Sequence, residues 1–314
     1  MFIDIKIRKS FGALIKVIVF IGICYALYIQ LAKISITDFK DLHVSNWVYF
    51  ILAVFLVLLN WGIELIKWMI IINPISKEHS RSTLIKSLFA GIATGIVTPN
   101  RLGNFLGRML YFYGRKRILA ALGTLYANLA QFLATLIFGA IGFYSVGDQL
   151  IGEYNHFLLK AFLITALCLS FFLYIIFAFG PEIFKFMYRK YQNTVTILQE
   201  QLKHVSFILL LLSLLRYLVF ISQFGFLLMA FGASYSEDLI SALYLHFLII
   251  SILPSLVMGK LVIRETVALV ILGTFIPNNA IIVVSSLTLW AINLGFPALI
   301  GLYFILKKRI INVV

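Results

Sequence analysis

Six apolar stretches, roughly 12–32, 47–72, 117–144, 158–180, 205–231 and 279–306, are each long enough to cross a bilayer. A hydrocarbon core of about 30 Å is spanned by about 20 helical residues rising 1.5 Å each. Inside lipid every backbone N–H and C=O must be satisfied by the chain itself, and a run of this length does so as a helix. The composition agrees. Hydrophobic residues make up 62% of the chain and charged residues 12%, against about 25% charge in soluble domains. The expected fold class is all-α: one integral-membrane domain over 1–314, built as a polytopic bundle of six full spans plus two re-entrant helical hairpins.

The first stretch follows a basic head, Lys6, Arg8 and Lys9. It is too long for a signal peptide and lacks a convincing small-residue cleavage site, so it reads as an uncleaved anchor. Both cysteines, Cys24 and Cys168, lie inside apolar runs, which excludes a disulfide scaffold and a thiolate metal site. None of the histidines pairs at ligand spacing, so no metal and no cofactor is expected. The net charge of +14, from 26 Lys and Arg against 12 Asp and Glu, would suggest nucleic acid in a soluble protein. Here it reports orientation, and no nucleic-acid partner is expected.

Two further apolar regions, 84–113 and 239–276, are interrupted by proline and glycine and carry charge in the middle. If each is a hairpin that enters and leaves on one side, 18 Lys and Arg fall in cytoplasmic segments. The outer loops then keep only Lys33, Lys40 and Lys160, beside Asp38, Asp41, Asp148, Glu153, Glu237 and Asp238. Threading either region straight across would reverse that positive-inside bias. The expected location is therefore the cell (inner or plasma) membrane, multi-pass, with both termini cytoplasmic. Between spans, 181–204 carries apolar residues at helical period beside Lys185, Arg189 and Lys190, and the expectation is a cytoplasmic interfacial helix over about 182–203, an elbow or a contact for anionic lipid.

The two hairpins mirror each other. Leu84 to Thr98 is too short to cross and breaks at Pro99-Asn100-Arg101. Leu239 to Leu253 breaks at Pro254-Ser255. Proline opens each break, glycine follows and arginine comes next: Pro99, Gly103 and Arg108 against Pro254, Gly259 and Arg264. One hairpin opening inward and the other outward is the inverted-repeat arrangement of transporters whose sites form where broken helices meet near the midplane. Gly91, Gly95, Gly103 and Gly107, at four-residue spacing, suit close helix approach.

Charge in the interior is the second constraint. Lys67, Arg101, Arg216, Lys260 and Arg264 stand against only Glu64 and Glu265, and a central charge costs about 2.5–3.5 kcal/mol to insert. Glu64 and Lys67, three apart on one helix, are expected to pair structurally. Arg264 and Glu265 are expected to point apart, leaving Glu265 to reach Lys260 or Arg216 and forming a functional quartet. Arg101 and Arg108 could instead sit at headgroup depth and snorkel. Asn128, Gln131, Gln223 and Asn293 read as helix-to-helix bonding groups. An excess of fixed cations near broken helix ends suits an anionic group such as phosphate.

Thr98-Pro99-Asn100-Arg101-Leu102-Gly103-Asn104 with Arg108 resembles the first signature of the lysylphosphatidylglycerol synthase transmembrane, or flippase-like, family. Leu253-Pro254, Gly259, Val262-Ile263-Arg264-Glu265 and Pro297-Ala298-Leu299-Ile300-Gly301 resemble its second signature and final helix. The resemblance implies a lipid flippase-like membrane domain, here ending at Val314 without the synthase domain of fused members. Asn104 stands where the family usually has an acid, which removes a candidate partner for Arg101 or Arg108 and favours an anionic over a cationic lipid.

The leading expectation is a non-enzymatic transporter of a polar, phosphate-bearing headgroup, with membrane lipids as partners. Arg264, Glu265, Lys260, Arg216, Arg101, Asn104 and Arg108 are its candidate binding residues. Pro99, Asn100, Gly103, Pro254, Ser255 and Gly259 are the helix-break positions. The alternatives are a non-transporting partner of a separately encoded lipid or envelope enzyme, and an intramembrane enzyme on a lipid-linked substrate. The second would need paired catalytic carboxylates, and the interior acids are single.

Overall fold

The computed structural model describes residues 42–72, 80–151, 156–180, 192–254 and 259–311, with isolated positions between 21 and 40. The expected first span and Ser255 lie outside the described residues, as does the 182–191 part of the expected interfacial helix. All regular structure described is helical: α1 (Trp47–Ile72), α2 (Arg81–Ile96), a 3-10 turn (Pro99–Arg101), α3 (Gly103–Met109), α4 (Arg115–Ile151), α5 (His156–Phe179), α6 (Gln192–Ala230), α7 (Glu237–Ile252), α8 (Gly259–Leu272), α9 (Asn279–Trp290), a π-helical segment (Ala291–Gly295) and α10 (Phe296–Ile311). Trp47–Ile72, Arg115–Leu150, Leu159–Phe179, Val195–Ala230 and Asn279–Lys308 are long and apolar enough to span. They are the five expected spans that fall in the described region. The protein is a polytopic helical bundle, and Phe55, Leu58, Phe172 and Phe207 present its apolar outer face.

Local chemistry sets the short helices. Ser80, Ser236 and Asn278 cap α2, α7 and α9 by accepting from the N–H groups of Thr83, Leu239 and Ala280, which satisfies donors that a helix start leaves open. Glu237 and Asp238 add favourable charge to the first turn of α7.

The stretch 192–203 corrects one expectation. It forms the opening turns of α6, continuous with the span that follows. Leu198 and Leu202 are buried and Gln201 donates to the carbonyls of Ile70 and Ile71, so tertiary bonding to α1 holds this part against the bundle.

Helix α4 measures the two hairpins. The first ends beside its N-terminal end, where Arg117 Nε donates to Phe112 O. The second lies along its C-terminal half: Gly142 meets Ser241, Tyr244 and Leu245, and Gly139 meets Leu248. As α4 residue numbers fall, α7 numbers rise, so α7 runs from the far end of α4 toward its middle. The Pro99–Arg101 turn packs against α8. The hairpins therefore approach from opposite ends of α4 and their tips meet at its centre. An apolar core surrounds each, with Leu88, Trp68 and Phe112 around the first and Leu243, Ile263 and Phe224 around the second.

Close backbone contact builds the first tip. A Cβ on Gly107 would overlap Ala90 O and Thr94 Oγ1, and one on Gly103 would overlap Thr94 O. The Thr94 hydroxyl donates to Gly103 O at 2.6 Å, and Gly103 N–H donates to Thr98 Oγ1 at 2.7 Å.

Candidate functional site

Where the tips meet, Trp61, Glu64, Ile92, Arg101, Asn104, Phe105, Arg108, Asn128, Gln131, Phe132, Thr135, Arg216 and Ser251 line a cavity of about 260 Å³. The wall is drawn from α1, α2, the 3-10 turn, α3, α4, α6 and α7. Asn128, Gln131, Phe132 and Thr135 come from the middle of α4, Arg216 from the middle of α6 and Ser251 from the inner end of α7.

Glu64 is the hub. Its carboxylate lies 2.6 Å from Arg108 Nη2, 3.2 Å from Arg216 Nη1 and 3.7 Å from Lys67 Nζ. Helical spacing alone suggests the Glu64–Lys67 pair, but the structure shows one acid shared by three cations. With Arg101 on the wall, four cations face a single carboxylate and the cluster is net +3. A buried ion pair repays its desolvation only with good geometry and further hydrogen bonds, and these are present. Gln131 Oε1 accepts from Lys67 Nζ and Arg216 Nη1, and Gln131 Nε2 donates to Ser213 O. Arg216 Nε donates to Asn60 Oδ1 at 2.9 Å. Asn60 Nδ2 donates to Asn293 Oδ1, and Asn293 donates to Gln223 Oε1. A polar spine thus joins the cavity to the π-helical segment, an irregularity often found at functional sites.

Arg108 corrects the snorkelling expectation. It is 2% exposed, stacks 4.6 Å over Trp68 and receives Glu64 from α1. Its Nε donates to Asn104 Oδ1 at 2.9 Å, so an amide at 104 still serves as an acceptor. Glu64 supplies the charge that an acid at 104 would have brought.

The donors left over define the site. Arg108 Nη1 and Trp61 Nε1 are buried with no hydrogen-bond partner, and among the described residues the Arg101 side chain makes no hydrogen bond or ion pair. All three are donors, and none can accept. Asn100 and Arg101 both hold left-handed backbone, at φ 47° and 58°. Asparagine tolerates this, whereas for arginine it costs on the order of 1–3 kcal/mol. The turn holds Arg101 in a conformation the chain does not favour locally.

The expected quartet divides. Arg216 belongs to the Glu64 cluster. Lys260 donates to Ile250 O across the second break. Arg264 and Glu265 do not point apart: Arg264 Nε and Nη2 both donate to Glu265 Oε1, as does Ser286 from α9. Long side chains curl into the same buried gap between α8 and α9, which their angular separation on the helix does not forbid. Lys260 remains beside the cavity, since α8 packs on the Pro99–Arg101 turn and the Arg101 charge acts on it. Pro254 and Gly259 flank the second break, and Pro99 and Gly103 the first. Of the central groups, Trp61 gives no sequence signal, because an aromatic in an apolar span is unremarkable.

The model of the lysylphosphatidylglycerol synthase TM region matches residues 13–310, nearly the whole chain. The chain belongs to this family. No curated protein and no solved structure matches it. Membership of the lysylphosphatidylglycerol synthase TM family ties the chain to membrane-lipid function. The first resembling motif supplies Asn100, Arg101, Asn104 and Arg108 to the cavity wall, and the second begins two residues beyond the lining residue Ser251.

Proposed function

We propose that this chain is a flippase-like transporter that carries an anionic, phosphate-bearing lipid headgroup between leaflets through the cavity at the hairpin tips. One observation carries the reading: the wall offers unpaired donors at Arg101, Arg108 and Trp61 within a cluster of net positive charge. A phosphate oxygen is an acceptor only, and charge-assisted hydrogen bonds from arginine are about twice as strong as neutral ones. A volume near 260 Å³ lies just below the ~300–1,000 Å³ range of drug-sized ligand pockets. It accommodates a headgroup while the acyl chains stay in the bilayer.

In this reading Arg101 and Arg108 hold phosphate, Arg216 keeps the cluster assembled, and Glu64 is the resident counter-ion when the cavity is empty. The hairpins, reaching the centre from opposite ends of α4, are the parts that open alternately. The cell membrane is the expected site, with cytoplasmic termini as the basic segments favour. No covalent step is needed.

The test is transfer of a fluorescent anionic phospholipid between leaflets of proteoliposomes. Arg101→Ala removes a guanidinium without breaking an ion pair, so folding should persist while transfer slows at least about tenfold, the loss of roughly one charge-assisted bond. Equal rates for the two proteins would remove the cavity from the mechanism.

A further inference from the structure

The second hairpin holds buried polar chemistry that the cavity does not use. Arg264 and Glu265 are 8% and 7% exposed, and the three donors on Glu265 converge on Oε1. Its Oε2 is buried with no partner. On α7, His246 is fully buried against Phe224 and Phe247, with the Val267 backbone of α8 beside its ring. Arg264 lies within electrostatic reach of that ring.

We propose that Glu265 is a proton-binding site linked to occupation of the cavity. The inference rests on the reading of the cavity as an anion site. Helix α8 packs against α7, α9 and the Pro99–Arg101 turn. Of the titratable and charged groups on those elements, Glu237 and Asp238 lie in the opening turn of α7, Tyr244 and His246 follow along it, Arg101 comes from the turn, and α9 brings none. Lys260 and Arg264 sit on α8 itself, one turn apart and on the same face.

With the cavity empty, the positive charge of Arg264, and of Arg101 and Lys260 further off, opposes the burial that disfavours an ionised Glu265. An anion beside Arg101 offsets that field, and a proton then adds to Oε2. Hydronium is the donor: one of its O–H bonds breaks as the Oε2–H bond forms, water is left, and the carboxylate charge is lost. Linkage requires that the proton in turn favour anion binding by the same factor.

A short-chain phosphatidylglycerol is the probe, because its phosphodiester does not titrate near neutrality and any proton taken up belongs to the protein. Binding to the purified full chain is followed by calorimetry in two buffers of different ionisation enthalpy. The expected result is net uptake approaching about one proton per bound lipid, retained binding without uptake in Glu265→Gln, and uptake shifted to higher pH in Ser286→Ala, which loses a donor to the carboxylate. Binding without uptake in the native chain, or uptake that persists in Glu265→Gln, overturns the proton site and leaves the cavity reading intact. Absence of binding by the native chain overturns both. Should Glu265→Gln fail to fold, the Ser286→Ala shift decides, and an unmoved profile counts against the proposal.

Discussion

Arg216 on α6 and Glu64 on α1 meet 3.2 Å apart at the centre of the bundle, and the same guanidinium donates through Nε to Asn60. The pair fixes the angle of two long helices and places a cation on the cavity wall. Stability and binding therefore draw on one side chain.

Glu64→Gln leaves Lys67, Arg108 and Arg216 without their shared counter-ion. Breaking a buried pair from one side costs about 3–5 kcal/mol, so the thermal midpoint of the detergent-solubilised protein should fall by several degrees. Added anionic phospholipid should restore part of it, because a ligand that binds only the folded state stabilises it. A midpoint indifferent to that lipid would count against phosphate as the replacement charge.

Arg216→Lys keeps the charge but cannot bond Asn60, Gln131 and Glu64 from one planar fork. Leaflet-to-leaflet transfer should drop about tenfold or more, the equivalent of one charge-assisted hydrogen bond. The α-helical circular dichroism should be unchanged.

Two glycines predict opposite signs. Gly107→Ala drives a methyl into Ala90 O and Thr94 Oγ1 and should destabilise by about 1–3 kcal/mol through overpacking. Gly62→Ala, with nothing within 4 Å of its added Cβ, should stabilise by about 0.5–1 kcal/mol, the usual cost of glycine within a helix. Denaturation midpoints of the two variants check the contrast.

Asn60 and Asn293 join α1 to the π-helical segment by a 2.7 Å bond. A double-mutant cycle with Asn60→Ala and Asn293→Ala should return a coupling of about 0.5–1.5 kcal/mol, as for a hydrogen bond between membrane helices. Additive effects would show that the spine is not under load.

The five described spans, both breaks and the excess of interior cations were legible in the sequence, because each follows from local composition: twenty apolar residues demand a helix in lipid, and Pro99 or Pro254 must interrupt one. The pairing of charges was not. Glu64 lies one turn from Lys67, and nothing in that spacing announces Arg108 and Arg216, which come from α3 and α6. Helical angles separated Arg264 from Glu265, but side chains long enough to curl into a shared gap joined them. Asn104 read as a lost partner, yet its amide accepts from Arg108 one turn further along the same helix α3.

The residue string by itself therefore determined that this chain is a membrane bundle with two interrupted helices and too few acids for its buried cations. Only the tertiary structure decided which cations share Glu64, which donors stay free and where the tips converge. Hydrophobic length is a property of contiguous residues, whereas the partner of a buried charge is whichever group the packing brings within about 4 Å.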